Sequence, residues 1–189
     1  SEVSSVDIRD MTFLLAMIVA FVIGCISARL LVIVGIRNNI RTIFSLILLM
    51  EGMLLMAMAA FELLYYSSAN NREALVFLGF LMGIHNATST QLSNGRVRST
   101  HITGTLTDAG IALGSLLAVL FRHDPSKQVT AQRKQFITHL VTLFSFLTGG
   151  IAGLLLFNQF GFGSMIAVGA FLAIIAIGAV VLTVNLARS

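Results

Sequence analysis

Apolar residues are gathered into long runs over positions 11–34, 42–66, 74–92, 102–121, 136–157 and 165–187. A hydrocarbon core about 30 Å thick needs roughly 20 apolar residues per helix, and most of these runs supply them. The pattern predicts an all-α, polytopic helical membrane protein with five to six transmembrane segments, forming a single domain over residues 1–189. Composition strengthens the reading. The chain is 57% hydrophobic and 11% charged, with a mean hydropathy of +0.93, whereas about a quarter of a typical soluble domain is charged.

One stretch breaks the apolar pattern. Residues 83–114, GIHNATSTQLSNGRVRSTHITGTLTDAGIALG, are rich in Thr and Gly and lie between membrane-grade runs. Lipid penalises polar side chains and irregular backbone, so such a patch persists only where protein or a water-filled cavity surrounds it.

Charge then orients the chain. The net charge of +4 resides in the connections. Arg29, Arg37 and Arg41 flank the first connection, and Arg72 beside Glu73 marks the second. Arg96 and Arg98 mark the third, and Arg122, Lys127, Arg133 and Lys134 the fourth. If all six runs crossed, the two basic connections around 102–121 would lie on opposite faces, against the positive-inside rule. The conflict disappears if 102–121 enters and returns, or is a half-helix loosened at Thr103-Gly104-Thr105, Gly110 and Gly114. The alternative is a complete helix with its polar residues turned inward.

A weak internal repeat agrees with five crossings plus a short or broken helix at the TGT motif. Phe21, Gly24 and Ile26 match Phe146, Gly149 and Ile151. With five crossings these spans run in opposite directions, the signature of an inverted repeat. Ser1-Glu2 echoes Thr107-Asp108, so the chain is expected to begin just after a first copy of the motif and to lack a preceding helix. The start, SEVSSVDIRD, carries no initiator Met and no cleavable signal pattern.

The candidate site residues follow from depth and chemistry. Glu51 lies inside ILLMEGMLLM, about 13 Å along its helix from Thr42. Inserting an acid there costs about 3 kcal/mol on translocon scales, so it is paired, protonated or turned to a polar cavity. Its expected partner is His85, Asn86 or Asp108. Glu62, nearer the helix end, is within reach of the interface by snorkelling and ranks below Glu51, and Arg29 is expected to mark the cytoplasmic boundary. His85 and Asn86 sit midway along the third run, His85 as a proton relay or as a hydrogen-bonded buried histidine. Gly83 and Ala87, spaced as small-xxx-small, suit close helix packing.

Thr103-Gly104-Thr105 supplies a possible helix break with hydroxyl ligands. The other reading makes Thr103 or Thr105 an N-cap and Asp108 a first-turn acid. His101 lies near a membrane boundary beside Arg98. Cys25 is alone, so no intramolecular disulfide forms, and it is expected to act as a small buried hydrophobe.

The motifs carry a resemblance. MGIHNA at positions 82–87 and RVRSTHITGTLTDAGIALG at 96–114 resemble the signature of the YoaK family, small and mostly bacterial integral membrane proteins of unknown function. The family pattern reads MGxQNA, a short basic loop, then TTHxTGTLTDLG. Asn86, Ala87, Arg98, Thr100, His101, Thr103, Gly104, Thr105, Thr107, Asp108 and Gly110 fit it, while His85 replaces a Gln and Ser99 a Thr. The family's first-half GxxDA helix and TGN motif are not visible here. The resemblance implies a fold and an integral location in the bacterial inner (cytoplasmic) membrane, and no substrate.

The function expected is transport of a small solute or ion through Glu51, His85, Asn86, Thr100, His101, Thr103, Gly104, Thr105 and Asp108. The alternative is a non-catalytic accessory or structural subunit of a larger membrane complex. The expected partners are the lipid bilayer, a solute or ion, and membrane proteins or further copies of the chain, with no nucleic acid. No HExxH, paired Cys or GxSxG pattern is present, so no enzyme, cofactor or metal is expected. Gly149-Gly150 and Gly161-Phe162-Gly163 suit tight helix contact and a turn.

Overall fold

A computed structural model describes residues 8–65, 71–95, 102–122 and 128–187. These residues form α1 (Ile8–Arg37), α2 (Ile43–Tyr65), α3 (Asn71–Leu92), α4 (Ile102–Arg122), α5 (Gln128–Phe160) and α6 (Phe162–Leu186). The chain is a polytopic helical membrane protein. By length and hydropathy, α1, α2, α5 and α6 are long and apolar enough to cross a bilayer. Burial is inverted relative to a water-soluble protein. The most enclosed side chains include Ala28, Ala59 and Ala176, whereas Leu14, Ile18, Leu30, Leu154 and Ile174 stand more than half exposed. Large apolar groups facing outward and small ones at the seams are what lipid on one side and close helix packing on the other require.

The helices cluster into two compact units, one of residues 1–92 with 156–189 and one of residues 93–155. In the first, α1 packs along α3, α2 packs along α6, and α2 also touches α3 and α1.

The α1–α3 seam has a constant register. Asp10 pairs with Arg72, and Arg29 bonds Gln91, each separated by 62 positions. Between them, a Cβ added to Gly79 would lie 3.3 Å from the carbonyl oxygen of Met17, and one added to Gly83 would strike that of Phe21. The two helices therefore run parallel and side by side. Gly24 on α1 and Gly79 and Gly83 on α3, small residues spaced by four on α3, let the backbones meet. A Cβ at Gly24 would collide with the Phe80 carbonyl. With its more polar sequence, α3 is sheltered by this register. It lies beside α1 from Asp10 to Arg29, so it occupies the same depth, and protein rather than lipid covers part of its surface.

Local signals end the helices. α1 closes in a Schellman motif: the Ile40 amide donates to Gly35 O at 2.8 Å and the Asn39 amide to Ile36 O at 3.1 Å. Asn39 takes φ 55° at the left-handed position. The expected turn after α5 contracts to Gly161, whose φ of 54° and ψ of −135° suit glycine and separate α5 from α6.

The second unit alters one expectation. α4 runs unbroken for 21 residues from Ile102, so the described segment neither enters and returns nor breaks at Thr103-Gly104-Thr105. The motif forms its first turn. Thr107 Oγ donates to Thr103 O at 2.9 Å, which satisfies the hydroxyl within the helix. Because α4 starts at Ile102, Thr103 and Thr105 are inside it rather than at the N-cap. Asp108 falls in the second turn, and no acid occupies the first.

Candidate functional site

Glu51 is the chemical centre of the first unit. α2 carries it on the side that α3 covers, while Gly52 turns toward α6, where an added Cβ would lie 2.7 Å from Gly169 O. Its neighbours Leu54 and Leu55 pack against the cluster of Ala28, Val32, Ile47, Leu81 and Ile84. In this apolar setting Glu51 Oε2 lies 2.9 Å from His85 Nδ1. The two atoms share one proton. It sits on the imidazole when Glu51 is a carboxylate, and on the carboxyl when Glu51 donates.

The two partners differ in exposure. The Glu51 side chain is 6% exposed and that of His85 50%, so the pair joins a sealed acid to a ring that reaches the surface of the chain. The other carboxyl oxygen, Glu51 Oε1, is buried and without a hydrogen-bond partner, as is Thr88 Oγ one turn along α3 from Ile84. An unmet buried polar atom costs about 1–3 kcal/mol.

The surroundings of the pair are mostly self-satisfied. Asn86 makes an interaction of its own, and its carbonyl accepts from Ser89 Oγ at 3.1 Å and Thr90 Oγ at 2.7 Å. Cys25 is not merely a small hydrophobe: its thiol donates to Gly83 O at 3.4 Å across the α1–α3 seam. Arg29 donates to Gln91 Oε1 at 2.7 Å, with two further turns of α1 beyond it.

The sequence-predicted residues divide between the units. Glu51, His85 and Asn86 belong to the first; Thr103, Gly104, Thr105 and Asp108 belong to the second. Thr105 is buried and engaged, whereas Thr103, Thr107 and Asp108 are exposed. Thr100 and His101 lie outside the described residues, as do Ser1 and Glu2. Among the described residues no three His, Cys, Asp or Glu side chains converge as a metal set.

Two titratable groups escaped the reading of depth. Glu62 does not snorkel; it is buried at 5% exposure, because its face of α2 is turned to the bundle. His139, within the apolar run of α5, is buried with Nε2 unbonded. The signal for Glu62 was its spacing of eleven from Glu51, which returns to the same helix face. An open apolar groove of about 470 Å³ beside Arg72, floored by Phe13, Val76 and Phe77, contains none of the candidate residues.

No characterised protein and no solved structure matches this sequence. A family model described as "Protein of unknown function (DUF1275)" matches residues 3–178. That span is nearly the whole chain and includes both the Glu51–His85 pair and the TGT helix; the chain belongs to the DUF1275 family.

Proposed function

We propose that this protein moves a small solute or ion across a bacterial cytoplasmic membrane through a polar site centred on Glu51 and His85. Asn86 and the motif carrying Thr100, His101, Thr103, Gly104, Thr105 and Asp108 complete the path, and the protein is not an enzyme. The observation that carries the reading is the unequal treatment of the Glu51 carboxyl: one oxygen bonds a titratable ring, the other is buried and unbonded. A glutamate kept only to join two helices gains nothing from an unmet oxygen, whereas a carrier needs a group that can change partners. An intramembrane acid held at this cost is by default a pathway residue. The YoaK resemblance supports the membrane assignment, and the match between α1 and α5 supports an inverted repeat.

The test is charge movement on a solid-supported membrane carrying the purified chain. It is challenged with concentration jumps of inorganic cations, small carboxylates, amino acids and sugars. A current in wild type that falls to the level of empty membranes in Glu51→Gln supports transport, with a smaller loss in Asp108→Asn.

A second reading, an accessory subunit, has its own observation. Residues 144–155 of α5 are exposed throughout, and an added Cβ at Gly149, Gly150 or Gly153 meets nothing within 4 Å. Stoichiometric co-purification with other membrane subunits from native membranes, together with no current for any solute, would favour it.

A further inference from the structure

Glu62 is the second acid that α2 withdraws from lipid, with the same exposure as Glu51, 5%. Eleven residues complete three turns and about 20°, so the two carboxyls share a face and lie roughly 16 Å apart along the axis. That face is the one α3 covers. Counting 14 residues back from Tyr65, the end of α2, reaches Glu51, and 14 forward from Asn71, the start of α3, reaches His85. The pair thus lies the same number of residues from the turn on both helices. Ala74, itself buried, lies three residues from the start of α3, as Glu62 lies three from the end of α2.

The two acids differ in access. Glu51 has a sealed, unbonded oxygen and Glu62 does not, and among the described residues nothing bonds Glu62. Glu62 is one turn from the end of α2, at the end of the bundle marked by exposed Tyr65 and by the exposed Asp10–Arg72 pair. Between the acids, Met58 is buried, and Leu54 and Leu55 pack against the cluster that holds Leu81. This stretch is apolar.

The chemistry favours a proton over a metal cation. Hard cations take six or more oxygens, and among the described residues of the first unit the sealed unbonded oxygens are Glu51 Oε1 and Thr88 Oγ. The groups around Glu51 also point to proton exchange. α3 brings His85, with Arg72 and Glu73 in its first turn; α6 brings no titratable side chain. α1 brings Cys25, bonded to Gly83, and Arg29, bonded to Gln91.

We propose that Glu62 is a proton-binding station that loads the Glu51–His85 pair from the end of the bundle where Asp10 and Arg72 lie. Resting on the transport reading above, the proton is then the coupling ion. Glu62 takes a proton from boundary water and becomes a neutral acid. When waters enter the Leu55–Met58 stretch, the proton passes along them to Glu51, and Glu62 returns to the carboxylate. Glu51 takes it on its unbonded Oε1 and becomes the neutral acid, while the proton already shared with His85 stays between Oε2 and Nδ1.

Infrared spectra of the full chain in phosphatidylcholine–phosphatidylglycerol vesicles test this without any transported solute. At acidic pH the Glu51 carboxyl band, identified by its loss in Glu51→Gln, shifts when D2O replaces H2O. The rate of that shift reports proton access. Glu62→Gln is expected to slow it by at least about a hundredfold, the range for a positioned proton-transfer group, and Glu62→Asp to restore it. Should Glu62→Gln fail to fold, Ala74→Leu, which enlarges the buried side chain at the matching position of α3, is expected to give the same slowing.

Equal rates in wild type and Glu62→Gln overturn the proposal. So does a rate as slow in Glu62→Asp as in Glu62→Gln, which would assign Glu62 a packing role. So does the absence of a Glu51-dependent band at every pH where the protein stays folded. Slowed exchange without any solute current leaves the station standing and removes the transport reading; a solute current with unaltered exchange does the reverse.

Discussion

Gly24, Gly79 and Gly83 lie where a Cβ would press on the backbone of the neighbouring helix, while Gly110, Gly114, Gly149, Gly150 and Gly153 face open space. The first set builds the α1–α3 seam; the second lies on α4 and α5. The same residue type in equally apolar sequence thus has two roles. In the first unit it fixes the distance between α1 and α3, the helix that carries His85. In the second it leaves a helix face uncovered by the described chain. Of the acids well inside a helix, Glu51 and Glu62 on α2 are enclosed and Asp108 on α4 is exposed. What distinguishes these glycines is whether their helix has a neighbour at backbone contact.

The strongest way to break this contrast is to fill the seam. Gly83→Leu puts a side chain into the Phe21 carbonyl, and overpacking of this kind costs about 3 kcal/mol or more. Unfolding in mixed micelles should show the loss, together with loss of the Arg29–Gln91 contact. The next effect is at the pair. His85→Ala leaves both Glu51 oxygens unmet in an apolar site, with an expected cost of about 2 kcal/mol; Glu51→Gln, which can still bond the ring, should unfold near the wild-type midpoint.

Gly149→Ala sharpens the contrast from the other side. With nothing within 4 Å of the new Cβ, the helix should gain up to about 1 kcal/mol. A destabilised Gly149→Ala in native membranes, but not in the purified chain, would reveal a partner on α5. The smallest effect is at the surface. Asp10→Asn removes an exposed pair and should change stability by about 0.5 kcal/mol or less.

Much of the frame was legible because its signals are local or periodic. Long apolar runs gave the helices, and depth within a run marked Glu51 as needing a partner, of which His85 was one of three named. Other features depend on which helices become neighbours, which a single sequence does not state. Gly83 and Ala87 announced a packing face, but not that Gly24 on α1 would meet it. Glu62 was read by its distance from a helix end, although its angular position, shared with Glu51, was the better guide. The TGT motif suggests a break because Gly104 tolerates unusual dihedrals and the basic connections on both sides of 102–121 disfavour a full crossing. The helix absorbs the threonines, since a Thr hydroxyl can bond the carbonyl four residues back, as Thr107 does to Thr103.

The most direct test of the Glu51–His85 pair as a transport centre is luminal pH recorded with an entrapped dye. Vesicles carrying wild type or Glu51→Gln at matched protein content are compared during the same solute jumps. The expected result is a change in luminal pH in wild type for at least one solute, reduced to the empty-vesicle trace in Glu51→Gln. Wild-type and Glu51→Gln traces that coincide for every solute would contradict proton-coupled transport through this pair.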